Sequence, residues 1–467
     1  MMKHFIGFRK SLLVFLFGSL LVVMQTAVSG SDRHVAADLV AVTRFHPFST
    51  WISEFTDADG WHRSPAYWAT IQYPDVDGDG RSDVCGRGDQ GIWCGLSGDE
   101  NFQNLVHWQG NFGDPQGWNS HESYWQTIQF PDVNGDGRDD ICGRGSAGIL
   151  CGISDGSVFS VPTIWNSEFS DANGWKSDPA YWDTIQFPDL NGDGLDDVCG
   201  RGSGNTGVNC ALSDGQSFVN FDSWAATYSD LNSWKDDQSY WATIQFPDVN
   251  GDGMDDVCGR DSEGIVCGLS TGTTFAAQTR WSLQYEDGAG WGNDPAYWET
   301  LQFPDINGDE MDDVCARAKS GIYCGLSTGV NFGTSSYRES NFSNANGWNS
   351  HPSYWETIQF PDVNGDGKAD VCGRDVEGLF CALASGTDSA THLFVDYSNW
   401  QEAFGDAEFG FLRPYYWQTI QFPDVNGDGW TDVCGRQFDG IVCAPAAVPD
   451  LPPTPSSFDV YLPLAVK

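Results

Sequence analysis

An all-β fold built from seven copies of one unit is what the sequence predicts, on three observations. An acidic loop, Asp132-Val-Asn134-Gly-Asp136-Gly-Arg138-Asp-Asp140 in its second copy, also starts at Asp75, Asp189, Asp248, Asp305, Asp362 and Asp424, spaced 57 to 62 residues apart. The fourteen cysteines fall as one pair per copy. Short runs of β-branched and aromatic residues, punctuated by Gly-rich and Ser-Asp-Gly turns, fill the space between them, as in strands joined by hairpins.

Each copy reads as four strands. In the second they are an inner one ending in Thr127-Ile-Gln-Phe-Pro-Asp132, a second over Asp140-Ile-Cys-Gly-Arg144, a third over Gly148-Ile-Leu-Cys-Gly-Ile153 and an outer one carrying Trp165. Four antiparallel strands repeated about a ring make the blade of a β-propeller, here seven-bladed. The segment Phe48 to Phe55 matches Thr163 to Phe169, which follows the second cysteine of its own copy. Here it precedes the first loop, whereas the last copy stops at Cys443-Ala-Pro-Ala without one. The N-terminal strand is therefore expected to complete the last blade and close the ring, leaving no open edge.

The ends of the chain differ from this body. Residues 1–30 carry Lys3, Arg9 and Lys10, an apolar run from Leu12 to Val23 and small residues at Ala27-Val-Ser-Gly30, the layout of a signal peptide. That run is short for a membrane span, and no later segment approaches one. Residues 31–46 form a polar N-terminal segment, residues 47–447 the propeller, and residues 448–467 a Pro-rich linker with a short apolar tail. The tail is similar to the C-terminal sorting or surface-retention tails of secreted bacterial proteins, or is a frayed end or an added edge strand. A secreted monomer, extracellular or at a cell surface, is the expectation.

The cysteines then read as disulfides clamping adjacent strands. The pairs are Cys85 with Cys94, Cys142 with Cys151, Cys199 with Cys210, Cys258 with Cys267, Cys315 with Cys324, Cys372 with Cys381, and Cys434 with Cys443. A zinc reading is poor, because the eight histidines do not track the cysteines. With 65 acidic against 23 basic residues the net charge is −42, which repels nucleic acid and anionic membranes.

Much of that charge sits where a hard cation would want oxygen. The loops place oxygen-bearing side chains at positions 1, 3, 5 and 9 and a backbone carbonyl at position 7, as calcium loops of the EF-hand kind do. The ligand sets are Asp75, Asp77, Asp79, Arg81 and Asp83; Asp132, Asn134, Asp136, Arg138 and Asp140; Asp189, Asn191, Asp193, Leu195 and Asp197; and Asp248, Asn250, Asp252, Met254 and Asp256. The remaining three are Asp305, Asn307, Asp309, Met311 and Asp313; Asp362, Asn364, Asp366, Lys368 and Asp370; and Asp424, Asn426, Asp428, Trp430 and Asp432. The helices and position-12 Glu of a true EF-hand are missing, so each loop joins strands instead. The Phe-Pro-Asp-Val-Asn-Gly-Asp-Gly-x-x-Asp-Val pattern resembles the FG-GAP/VCBS repeats of seven-bladed propellers, found in integrin α-chains, fungal lectins and secreted bacterial proteins. The resemblance covers about residues 47–445 and implies Ca2+ between the first two strands of each blade, up to seven ions. The fifth loop departs from it: Glu310 replaces the position-6 glycine, and Ala316 and Ala318 flank Arg317, so that site is expected to be the weakest.

The opposite face should carry the long connections, with Trp61, Trp118, Trp175, Trp234, Trp291 and Trp348 after a turn and a Tyr-Trp pair later in each. The Tyr-Trp pairs read as core and the six tryptophans as a candidate sugar-stacking surface. The last connection, Ala403 to Tyr416, has Phe409, Phe411 and Arg413 instead. An arginine recurs after each first cysteine, at 87, 144, 201, 260, 317, 374 and 436, where an inter-blade salt bridge or a carbonyl cap is favoured over ligand contact. His121 and His351 take equivalent places without an acidic partner. Catalysis needs one asymmetric constellation, and nearly every carboxylate cluster here belongs to the repeat, with no H-E-x-x-H. The expected function is a non-catalytic binding or adhesion module for glycans. A protein-binding or structural surface scaffold is the alternative, and a secreted hydrolase or lyase on the same fold a weaker one.

Overall fold

Seven antiparallel sheets of three strands each repeat along the chain in a computed structural model that describes residues 44–334, 336–385, 393–406 and 410–447. The expected signal peptide, most of the N-terminal segment and the C-terminal tail lie outside the described residues, as does Phe409. In the first repeat the strands are Val84–Gly88, Gly91–Gly95 and Val106–Gln109, joined by a two-residue hairpin and then a longer turn. The first two strands are buried on both faces, which is why they read as continuous Val, Cys and Ile rather than alternating. The outer strand is exposed over its first half and buried at Trp108 and Gln109, and a register shift twists it beside Ile92.

The paired cysteines stand directly opposite each other on the first two strands of every sheet. All seven expected disulfides are present, with Cα atoms 4.1 to 4.2 Å apart: Cys85 to Cys94, Cys142 to Cys151, Cys199 to Cys210, Cys258 to Cys267, Cys315 to Cys324, Cys372 to Cys381 and Cys434 to Cys443. In each bond the second cysteine, from Cys94 to Cys443, lies on the middle strand, so the clamp joins the first strand to the one that also carries the outer strand.

The expected fourth, innermost strand is reduced to one bridge per repeat. Gln72 exchanges two backbone hydrogen bonds with Cys85, each 2.9 Å long, and the ladder then ends on both sides. On one side Pro74 has no N–H to offer. On the other, the Arg87 N–H is taken by the Thr70 hydroxyl at 2.9 Å in place of a backbone carbonyl. The Thr-Ile-Gln-Phe-Pro run thus has the alternation of a strand but only one residue of its ladder.

Its side chains tie neighbouring repeats together. The Gln72 amide donates to the carbonyl of Ile128 in the next repeat, and Gln129, Gln186, Gln245, Gln302 and Gln359 do the same to Ile185, Ile244, Leu301, Ile358 and Ile420. Gln421 of the last repeat donates to Ile71 of the first at 2.8 Å. The acidic loops follow the same order: each position-7 side chain lies over the position-4 glycine of the loop before it, as Arg138 does on Gly78, Trp430 on Gly365 and Arg81 on Gly427.

Ser49–Ile52 forms the outer strand of the last sheet, pairing Ser49 with Cys443 and Thr50 with Val442, as the displaced segment suggested. Arg44–Phe45 adds a second pairing with Ala446–Ala447. Trp51, Ile52 and Phe55 are buried there with Ile441 and Cys443. Removing residues 1–55 strips these contacts and exposes the middle strand of the last sheet; the expected outcome is aggregation or a broad, early melt, read by size-exclusion chromatography and thermal denaturation. A truncated chain that stays monomeric with an unchanged midpoint contradicts it.

Candidate functional site

The acidic loops are organised by their own carboxylates. Asp75 Oδ1 accepts the N–H of Gly78 at 2.7 Å and Oδ2 that of Gly80 at 2.8 Å, while position 3 accepts from position 5 and position 5 from position 7. The position-9 carboxylates are fully buried, and Asp83 accepts from the N–H groups of Val76 and Ser97. Burial pushes Asp83, Asp197, Asp256 and Asp313 up to about 8 and Asp432 up to about 7. Asp75, Asp77 and Asp83 each bring an oxygen within 4.8 Å of the others. An all-oxygen donor set of this kind fits a hard cation such as Ca2+.

The loops are not equivalent. In the second, Arg138 forms an ion pair with Asp136, and in the sixth Lys368 reaches Asp366 at 2.9 Å, so a tethered cation already faces the position-5 carboxylate. In the fifth, Glu310 adopts φ +67° and still donates its N–H to Asp305. The loop keeps its shape at the left-handed cost of roughly 1 kcal/mol or more.

Position 8, which the ligand sets omit, joins loop to loop. Asp139 accepts the N–H of Asp75 at 2.8 Å and donates its own to the Asp75 carbonyl, and Asp196, Asp255 and Asp312 repeat this against Asp132, Asp189 and Asp248. Burial, with the neighbouring carboxylates, raises Asp139 and Asp312 well above the usual range. The only sequence signal for this was the Asp-Asp doublet of loops two to five.

On the opposite face the recurrent arginine holds the connections down. Arg87 is fully buried; its Nε donates to Phe112 O at 2.7 Å, Nη1 to Ala66 O at 3.1 Å, and Nη2 pairs with Asp114. Asp114 also accepts the Tyr67 hydroxyl at 2.7 Å, and that ring lies 5.7 Å from the guanidinium. The expected salt bridge and carbonyl cap are thus both present, joining the connection before the blade to the one after it. Five other repeats repeat the aspartate pairing, through Asp171, Asp230, Asp287, Asp406 and Asp57. His121 and His351 cap the short helical turns Glu122–Trp125 and Pro352–Trp355, accepting from Ser123 and Ser353.

The six tryptophans expected to stack on sugar are core residues. Trp61, Trp118, Trp175, Trp234, Trp291 and Trp348 are 1 to 7% exposed. Each lies 4.4 to 4.7 Å, centroid to centroid, from the Phe or Tyr of its own connection. The strand residue between cysteine and arginine explains the fit: a Cβ on Gly200 would stand 2.9 Å from Trp175, so the glycine lets the indole lie on the backbone. In the last connection Phe411 takes that place, 5.0 Å from Phe404.

An open cavity of about 520 Å³ remains on this face, beside the connection that leads into the fifth blade. Tyr297 and Tyr323 give it aromatic wall, Ala289 and Ala318 its floor space, and Glu286 and Lys319 its charges. Its size and its mix of rings with a few polar groups suit a small ligand.

No family model and no curated protein matches the chain. Among solved structures it is similar to that of an Agrocybe aegerita lectin, described as recognising non-reducing terminal N-acetylglucosamine; the match has 22% identity and a TM-score of 0.64, and covers 79% of this chain and 85% of that one. A weaker likeness, with 15% identity and a TM-score of 0.42, is to the Tc holotoxin pore of Photorhabdus luminescens, over 78% of this chain and 16% of that one. The lectin likeness, with seven repeated sheets, supports a propeller-like fold. No helix among the described residues is long and apolar enough to cross a membrane. The seven disulfides fit an extracellular protein.

Because Trp175 is packed between Phe169 and the Gly200 backbone, Trp175→Ala is expected to destabilise the chain by about 3–5 kcal/mol, as large aromatic truncations in cores do. Chemical denaturation measures this, and an unchanged midpoint returns the indole to the surface.

Proposed function

We propose that the chain is a secreted, calcium-loaded, seven-bladed β-propeller, closed by its N-terminal strand, that binds carbohydrate without catalysis. The carbohydrate reading is carried by the shared fold with a lectin over four-fifths of the chain. The cavity beside Tyr297 and Tyr323 supplies a place for it now that the tryptophans belong to the core. Closure is supported by three contacts from last repeat to first: the Ser49–Ile52 pairing, Gln421 to Ile71, and Arg436 to Phe55 O and Asp57. The same burial of the tryptophans favours the second reading, a scaffold that binds protein partners.

A glycan array run with and without calcium separates the two. Retention of a defined sugar class, lost on Tyr323→Ala with the melting temperature kept, is the expected outcome. Retention of proteins alone selects the scaffold.

Calcium is supported by the oxygen-rich residue pattern of the seven loops and by the close approach of Asp75, Asp77 and Asp83 in the first, and extracellular modules of this chemistry bind at about 10⁻⁴–10⁻³ M. Chelation is expected to lower the melting temperature, and metal analysis to find several ions per chain; fewer than two with no thermal shift defeats the reading. Among the loops, Asp252→Ala is expected to reduce the calcium-dependent stabilisation more than Asp366→Ala or Asp309→Ala. The fourth loop has neither a tethered cation nor a strained position 6, as the sixth and fifth do.

A further inference from the structure

Three departures from the repeat coincide at the fifth blade. Six of the buried guanidinium groups meet an aspartate, but Arg317 meets the carboxamide of Asn344. A guanidinium only donates, so Asn344 must present Oδ1 to it and turn Nδ2 toward the Tyr297 hydroxyl, 3.0 Å away. The fully buried charge of Arg317 therefore has no carboxylate against it among the described residues. Burial draws its pKa down to about 10, with Tyr297 and Asp294 as the acidic groups acting on it, so it stays charged at neutral pH. Tyr297 changes role as well. Its six counterparts donate their hydroxyl proton to aspartate, whereas Tyr297 accepts and leaves its proton for another acceptor.

The second departure is Ala289. Its counterparts Asn173, Asn232 and Asn346 reach back to carbonyls of the preceding turn at 2.9 to 3.0 Å and occupy the space beside it. A methyl group cannot, and the 520 Å³ cavity lies there. The third is Lys319, exposed on the hairpin tip and lining that cavity, where other repeats have Asp89, Ser146, Ser262, Val376 or Phe438.

We infer that this cavity takes a carboxylate-bearing pyranose, a hexuronate or a sialic acid unit, an inference that rests on the carbohydrate-binding reading. The sugar ring lies against Tyr323, its carboxylate meets the Tyr297 hydroxyl and Lys319 over the uncompensated Arg317, and Glu286 accepts from a ring hydroxyl. The net charge of −42 opposes an approaching anion, but at physiological ionic strength that field is screened beyond roughly 8 Å. Within the cavity, charge-assisted hydrogen bonds are roughly twice as strong as neutral ones, so contact chemistry decides.

The test uses the full chain, with calcium present, against immobilised oligosaccharides ending in glucuronate, in sialic acid, or in the neutral glucose counterpart. The expected result is a preference of roughly tenfold or more for one acidic arm over the neutral one, the size a charge-assisted bond supplies. Asn344→Asp restores what six sibling repeats have and should keep the melting temperature while reducing that preference to near unity. Ala289→Asn should fill the cavity and remove acidic binding altogether. Neutral sugar bound as well as acidic sugar overturns this inference and leaves the carbohydrate reading standing; no sugar bound at all overturns both. Acidic binding undiminished in both variants overturns the placement.

Discussion

A buried guanidinium in every repeat is what the connection face hangs on. It arises from the strand itself: the arginine follows a cysteine and a small residue in the sheet, is fully buried under the connections before and after it, and has nowhere to send five N–H donors except inward. Three go to carbonyls and an aspartate on two successive connections, so these segments, built only of short helical turns, are fixed at both ends. A buried ion pair is weak evidence for net stability, but removing one partner leaves an uncompensated charge and typically costs about 3–5 kcal/mol. The device therefore makes the connections specific: a connection that fails to present its aspartate is heavily penalised, and the fifth repeat meets that demand with an asparagine oxygen instead.

The two faces solve different problems with similar means. On one, carboxylates gather backbone N–H groups and are packed against one another until burial raises their pKa, which is the condition under which a divalent cation gains most. On the other, in six of the seven repeats, an aspartate is matched with the buried arginine and accepts a tyrosine hydroxyl. Charge is concentrated where a small ion can answer it and neutralised where the surface is left for something larger.

The repeat made most of the fold legible. Loop spacing, cysteine pairs and the misplaced outer strand are all properties of periodicity, and each stands in the structure as the sequence placed it. The inner strand was overread because Thr70-Ile-Gln-Phe/Tyr-Pro alternates like a ladder, and only the Pro74 break and the Thr70 hydroxyl reveal that it has one rung. The tryptophans were misplaced for a different reason. A loop aromatic carries no sign of which way it faces, and the clue lay about twenty-five residues away, in the strand glycines at 86, 143, 200, 259 and 373 that leave room for an indole. Asn344 and Ala289 were visible as letters, but without the partner of Arg317 or the reach of Asn173 they had no meaning.

The latch between the two ends of the described chain differs in reach from every other tie in the structure. Arg436 and Phe55, joined at 2.6 Å, stand 381 residues apart, whereas each disulfide spans only 9 or 11. Each sheet's first two strands are joined by contacts close in sequence, but the strand at Ser49 finds its partner only in the last sheet, near the other end of the described chain. The pairing of the N-terminal strand therefore spans almost the whole described chain, whereas the seven covalent clamps are local to their own sheets.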